Sequence, residues 1–505
     1  MSDRPPNVLF IFTDQQRADS LGIVNGWSGT PNLDSLAKEG TLFTSCFTNS
    51  PVCVPARYSL MSGLYPHNLG VQRNQPLDFP VWLETWIGRL RTHGYRTSMF
   101  GKIHLHPMRG DLRRKVDHAH KIGFDDVNEV GGPRSMRQGT TDLTELWDRQ
   151  GVLTAFRDDL AERQLEEPWV ARPSPLGLDL YYDTYVGRQA AQYLKEYDRP
   201  EPWCCYVGFP GPHEPWDAPI PWATAYDPKD MPEPTKPPRS LADDRPRGEL
   251  DARLDDLPPI DGAAIAALRA NYAGEVGLID HLVGDILNVV RDRGEWDRTI
   301  IVFTSDHGEM NGDAGLLYKE VFLDSAVRVP LIIRDPMSRP TPEVTELVEL
   351  MDVGPTVLEL AGIESGTDFR MAKSVAGLIR GEPRPTHRTE VLSEFAGEVM
   401  LVTDKWKIGL NRSGQTYLLF DRSVDESTNL AGSEDFAEIQ HQLESQVLQR
   451  LVSTASHEVN FPSIDPTVDF VPAVGGQHKR FARARSQVAR VRRIRHRIPA
   501  LRRTH

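Results

Sequence analysis

Asn7-Val8-Leu9-Phe10-Ile11-Phe12-Thr13 is an unbroken apolar, β-prone run that stops at Asp14-Gln15-Gln16. A strand apolar on both faces needs cover on both, which is the condition of a central strand in a parallel sheet sandwiched by helices. A second run of the same kind, Thr299-Ile300-Ile301-Val302-Phe303-Thr304, stops at Asp306-His307-Gly308. Ligands of open α/β sheets gather at the carboxyl ends of strands, so these two acidic clusters are expected to meet at one site although roughly 290 positions separate them. Residues 95–100 and 203–209 read as further strands, each followed by a glycine or proline break and then histidine. Apolar residues at helical spacing predict helices over 178–197 and 263–291.

Outward from this core the texture changes. Residues 215–259 are rich in proline and acidic residues and predict an extended surface excursion at the pocket mouth. Gly381-Glu382-Pro383-Arg384-Pro385 punctuates the chain. Short strands at 400–403, 406–410 and 416–420 and a helix over 436–452 follow, which suits a small antiparallel sheet with one helix packed on it. The expected architecture is α/β: a large mixed, mostly parallel sheet between helices, then a smaller C-terminal α+β domain. The expected divisions are 1–385, 386–475 and a basic tail at 476–505. No internal repeat is visible.

At 505 residues the chain exceeds one modest core. Its 39% hydrophobic and 26% charged residues exclude global disorder. No segment approaches the roughly 20 apolar residues of a membrane span. The run at Val8–Phe12 is too short and too soon ended by Asp14 for a secretory signal, so a cytoplasmic protein is expected. Cys46, Cys53, Cys204 and Cys205 show neither metal-finger spacing nor a disulfide framework. The net charge of −13 hides an asymmetry, because residues 478–505 carry eleven Lys and Arg and no acid, leaving a strongly acidic body. Such a body argues against a long polyanionic substrate, and no nucleic-acid partner is expected. The tail suits a solvated or docked extension; the alternatives are binding to an anionic surface or nucleic acid, or contacts between subunits of a homo-oligomer.

The chemistry centres on Cys53-Val54-Pro55-Ala56-Arg57. Pro55 favours a first helical turn, which puts Cys53 at the positive end of a helix and Arg57 one turn on, an environment expected to favour an anionic or strongly polarised nucleophile. Asp14, the Gln15 side-chain carbonyl and Asp306 are oxygen donors suited to a hard divalent cation, and His307 adds a nitrogen. Taken singly, an Asp after a strand is usually a cap or turn former, a loop histidine such as His213 is usually bland, and Lys102 and Lys319 are usually solvated. Two acidic strand ends beside Cys53 shift that balance.

The pattern Cys-x-Pro-x-Arg resembles the maturation signal of the sulfatase family, although Met61-Ser62-Gly63-Leu64 replaces the family's Leu-Thr-Gly-Arg. Asp14-Gln15, Gly101-Lys102-Ile103-His104, Pro212-His213, Ser305-Asp306-His307-Gly308-Glu309, Lys319 and the segment Val327 to Ile333 fall in the family's order, as do Tyr417 to Asp421 and Asn429-Leu430-Ala431. The resemblance implies the alkaline phosphatase fold and hydrolysis of a small-molecule or carbohydrate sulfate ester. It also implies that a formylglycine-generating enzyme converts Cys53 to formylglycine. One hydroxyl of the hydrated aldehyde would attack sulfur, and the other would later expel sulfate. Arg57 and Lys102 would steady the nucleophile, His104 would take its proton, His213 would serve the leaving oxygen or sulfate, and Lys319 would bind sulfate oxygens. The metal ligands would be Asp14, Gln15, Cys53, Asp306 and His307. Calcium is the family's ion, but Gln15 and His307 resemble the phosphonate monoester hydrolase branch and leave manganese or magnesium open. Phosphonate monoester or phosphodiester hydrolysis is therefore the alternative activity. A metal-binding scaffold with unconverted Cys53 is the non-enzymatic one. His106 and Asn74 are left as supporting residues near the pocket.

Overall fold

The computed structural model describes residues 4–455 apart from residues 25, 166–168, 367–368, 370 and 383–386. Among the described residues, eight strands form one sheet: β1 Asn7–Thr13, β2 Thr41–Phe43, β3 Arg96–Gly101, β4 Asp126–Glu129, β5 Trp203–Gly208, β6 Thr299–Ser305, β7 Leu331–Arg334 and β8 Glu343–Val344. Their spatial order is β8-β2-β7-β6-β1-β5-β3-β4, and β7 alone is reversed. The run that opens the chain is central, parallel to β5 through Val8↔Cys204 and to β6 through Thr13↔Ser305.

The period of two along β1 divides it between two cores. Val8, Phe10 and Phe12 join one with Tyr58, Trp86 and Val357, from the helices Cys53–Ser62, Trp86–Thr92 and Val353–Leu360. Leu9 and Ile11 join the other with Val186, Ala190, Leu282 and Val283, from the helices Tyr182–Glu196 and Gly262–Asp292. These side chains are buried, and each Val, Leu, Ile or Phe among them contributes about 1.5–3 kcal/mol of hydrophobic stabilisation. The sheet is a rigid platform, and its strand ends are free to carry loops.

The helix expected over 178–197 starts only at Tyr182, because Tyr181 is extended (φ −67°, ψ 142°) after a short 3-10 turn. The excursion at 215–259 is mostly extended but contains a helix, Glu249–Asp256, that its proline-rich composition concealed. Asp251 caps it by accepting from Gly248 N at 2.9 Å, and Leu250 buries against Phe322 and the C-terminal sheet. That sheet is an antiparallel meander of β9 Glu390–Phe395, β10 Glu398–Thr403, β11 Trp406–Leu410 and β12 Thr416–Asp421. The pattern had missed β9. The helix Ala437–Ala455 covers one face through Leu443 and Val447. The other face shares a core with Val52, Met310 and Phe322, beside the strand ends of the large sheet. The expected break at 385–386 and the basic tail at 476–505 lie outside the described residues. No described helix is long and apolar enough to cross a membrane.

One close approach fixes the end of β3. Gly101 pairs with Gly208, Gly101 takes φ +102°, and a Cβ on Gly208 would stand 2.3 Å from the Lys102 carbonyl oxygen. Lys102 N donates to Gly208 O at 2.7 Å. Only glycine lets the two backbones meet here. Gly208→Ala is expected to cost about 1–3 kcal/mol of stability, read from the urea midpoint, and to lower activity through displacement of Lys102.

Candidate active site at the carboxyl ends of the central strands

β1 and β6 end side by side, and Asp14 and Asp306 are their first residues beyond the ladder. Gln15 adopts φ +69°, which lets its N–H donate to Asp306 Oδ1 at 3.0 Å, beside the His307 N–H at 2.9 Å. The helix Cys53–Ser62 begins at Cys53 as Pro55 implied, and every residue of it is buried. Asn74 Oδ1 accepts from Val54 N at 2.9 Å and satisfies one of its free N–H groups. One turn on, Arg57 donates from Nε to Asp306 Oδ2 and from Nη2 to Asp14 Oδ2, both at 2.8 Å. Its remaining N–H groups reach the carbonyls of Lys102 and Ile103. Burial opposes the Arg57 charge, but Asp306 and Asp14 outweigh it and hold the guanidinium protonated.

Asp14, Cys53, Asp306 and His307 each offer one donor atom, all within 4.8 Å of one another. His307 Nδ1 donates to Gly308 O at 2.9 Å, which leaves the Nε2 lone pair available, 3.2 Å from Cys53 Sγ. Burial lowers the His307 pKa, so the imidazole is the neutral form that a metal requires. Burial would raise the Asp14 pKa, but Lys102, His213 and Arg57 overcome it and keep the carboxylate ionised. Two carboxylates and one imidazole fit a divalent ion. Gln15, the other expected ligand, lies beside them with its side chain engaged elsewhere. Its carbonyl accepts from Lys319 Nζ, while its amide donates to Glu309 and, at 2.7 Å, to Glu214 Oε2.

Above this group lies a cavity of about 220 Å³, lined by Cys53, Lys102, His104, His213 and Lys319. Lys102 Nζ sits 2.7 Å from Asp14 Oδ2. Lys319 Nζ donates to His213 Nε2 at 3.1 Å, and His213 Nδ1 donates to Glu214 O at 2.8 Å. Burial takes the His213 pKa down to about 3 despite Glu214, so this imidazole is neutral. His104 takes φ +58°, and its side chain lines the cavity together with that of Lys102. His104 Nδ1 has no hydrogen-bond partner, and burial with Lys102 and Arg57 nearby keeps the ring neutral.

The expected anionic character of Cys53 is reversed. Burial and Asp14 push the thiol up to about 12 against Lys319 and Lys102, because the helix end is less influential than desolvation. Pattern reading also missed Arg134, Glu214, Arg253, Tyr318 and Glu320 in the cavity wall. Glu214 and Glu320 adjoin His213 and Lys319 in sequence, which is the only signal they carried. His106 pairs with Glu129 at 2.7 Å and does not line the cavity.

A buried carboxylate and imidazole group under a cation-lined cavity, at the strand ends of a mostly parallel sheet, is where an enzyme of this architecture binds its ligand, and comparison with known proteins places the chain in the alkaline phosphatase superfamily. The chain belongs to the sulfatase family: residues 6–363 match the family described as Sulfatase, and residues 312–453 match that described as N-sulphoglucosamine sulphohydrolase, C-terminal. It is a sulfuric ester hydrolase. An arylsulfatase of Clostridium perfringens is 29% identical over 457 residues, covering 86% of this chain and 92% of that protein. The multifunctional alkaline phosphatase superfamily protein PehA of Trinickia caryophylli is 30% identical, covering 77% of this chain and 80% of that protein. The phosphonate monoester hydrolase SpPMH from Silicibacter pomeroyi shares the fold with a TM-score of 0.74 at 23% identity, covering 91% of this chain and 98% of that one. His307→Ala is expected to lower the divalent ion bound per chain well below stoichiometric, measured by plasma mass spectrometry after gel filtration. An unchanged metal content would remove His307 from the ligand set.

Proposed function

We propose that the protein hydrolyses sulfate monoesters of small or carbohydrate-like alcohols, using formylglycine at position 53 and one divalent metal held by Asp14, Asp306 and His307. The observation that carries this is the placement of Cys53, the first residue of a buried helix, 3.2 Å from His307 Nε2 on the cavity floor. A thiol pushed up to about 12 is a poor nucleophile, which favours conversion over direct use. The hydrated aldehyde supplies an oxygen nucleophile and a route for sulfate to leave. A bound metal acidifies such an oxygen and offsets charge, and calcium is our first choice, with manganese or magnesium as the alternatives.

The chain's own residues supply the rest. Arg57 holds both metal-binding carboxylates in place. Lys102 and Lys319, both lining the cavity, bind sulfate oxygens and offset transition-state charge. His104, neutral and with an unpartnered Nδ1, accepts the proton of the nucleophile. His213 accepts from Lys319 at Nε2; we therefore assign it to orienting Lys319 and contacting sulfate rather than to delivering a stored proton. The four cysteines are all buried free thiols, which supports a cytoplasmic setting, and a formylglycine-generating enzyme is the implied maturation partner.

Phosphonate monoesters and phosphodiesters carry the same single charge as a sulfate monoester, so the cations of this cavity do not exclude them, and His307 favours them. With protein coexpressed with a formylglycine-generating enzyme, the peptide containing position 53 is expected to show the aldehyde mass, and Cys53→Ala to lose at least about 10³-fold in kcat/KM. Aryl sulfate is expected to turn over faster than phenyl phosphonate and a phosphodiester; a sulfate rate below both would overturn the choice of sulfur. A histidine depressed to about 3 is neutral from pH 5 upward, so its deprotonation adds no descending limb near 6.5. His213→Gln is accordingly expected to lower kcat/KM while leaving the shape of the pH profile between 6 and 8 unchanged.

A further inference from the structure

Two arginine and glutamate pairs contributed by separate segments line the same cavity as Cys53. Arg134, from the helix Pro133–Met136, pairs with Glu214 Oε1 at 2.5 Å and lies 5.3 Å from the Tyr318 ring. Arg253, from the helix Glu249–Asp256 hidden in the proline-rich excursion, pairs with Glu320 Oε2 at 2.9 Å and donates to Leu317 O. Its side chain is 6% exposed, it lines the cavity, and its Nε has no hydrogen-bond partner. A buried guanidinium N–H left unmatched is costly unless a ligand satisfies it.

We propose that Arg253, held by Glu320, and Arg134, held by Glu214, form a subsite for the alcohol portion of the substrate and select a hydroxylated leaving group. Each pair is neutral as a unit but presents N–H donors beside carboxylate acceptors. A hydroxyl both donates and accepts and so satisfies both members of such a pair, whereas an aromatic ring can only stack on the guanidinium and leaves the carboxylate unmatched. The cavity of about 220 Å³ takes the sulfate and the part of the alcohol next to it. Glu214 and Glu320 are the sequence neighbours of His213 and Lys319, so the subsite is tied directly to the residues that contact the reacting group. This inference rests on the hydrolase reading above and adds the contacts that choose the alcohol.

The test compares a nitrophenyl ester with a hydroxylated pyranosyl ester, each made as sulfate and as phosphonate. The enzymes are wild type, R134Q, R253Q and the double variant R253Q/E320Q, which strands no buried carboxylate. Loss of the arginines is expected to raise KM for the pyranosyl ester about tenfold or more, with the nitrophenyl ester within about threefold. Equal losses on both leaving groups, or no loss on either, would overturn the subsite. A wild-type preference for phosphonate with either leaving group would overturn the sulfate reading alone, because leaving-group selectivity is still read within the phosphonate pair. Thermal unfolding of each variant separates a folding defect from a binding one, and R253Q/E320Q supplies the reading where R253Q fails to fold.

Discussion

The guanidinium of Arg57, buried between Asp14 and Asp306, is the contact on which the active end of this molecule depends. Two carboxylates at the ends of adjacent strands repel strongly in a water-poor setting. Arg57 meets one with Nε and the other with Nη2 and lies almost wholly out of solvent. Its other N–H groups take the backbone of Lys102 and Ile103, so one side chain ties β1, β6, the end of β3 and the helix bearing Cys53. Removing one partner from such a network costs about 3–5 kcal/mol, because the others stay buried without compensation.

Around that clamp the backbone is held in conformations that side chains seldom adopt. Gln15, His104, Asn311, Ala314, Tyr318 and Glu320 all have positive φ, and all lie in the loops at or beside the strand ends. Each such residue costs of order 1–3 kcal/mol and persists only where its surroundings over-determine it. The two apolar cores on the faces of the sheet supply that over-determination. Strain at Gln15 aims its N–H at Asp306, and strain at His104 brings its ring into the cavity. The same burial that makes the site rigid sets its protonation, with His104, His213 and His307 neutral and Asp14 ionised.

Much of this was legible in the order of the residues. The apolar runs of β1 and β6, each ending in an acid, named the central strands and the place where they meet, since hydrophobicity on both faces has few other structural meanings. The pattern around Cys53 located a helix start, and the structure begins the helix there. Less legible were elements whose signal is tertiary. β9 and the helix Glu249–Asp256 are short and held by contacts from distant segments, so their local composition misled. The hydrogen bonds of Gln15 were equally hidden. In the fold its carbonyl faces an ammonium from a loop 304 residues away, a distance that no local pattern spans.

The sequence by itself determined which residues are chemical and which strands are central, because residue type and hydrophobic period are properties of short stretches. Tertiary structure decided their states. Burial beside Asp14 keeps the Cys53 thiol protonated where the helix end alone argued for an anion. The paired arginines of the cavity wall exist as a subsite only because a loop helix and a strand-end helix converge on Glu320 and Glu214. Desolvation and long-range charge pairing depend on what surrounds a group in space, and that is set only when the chain has folded.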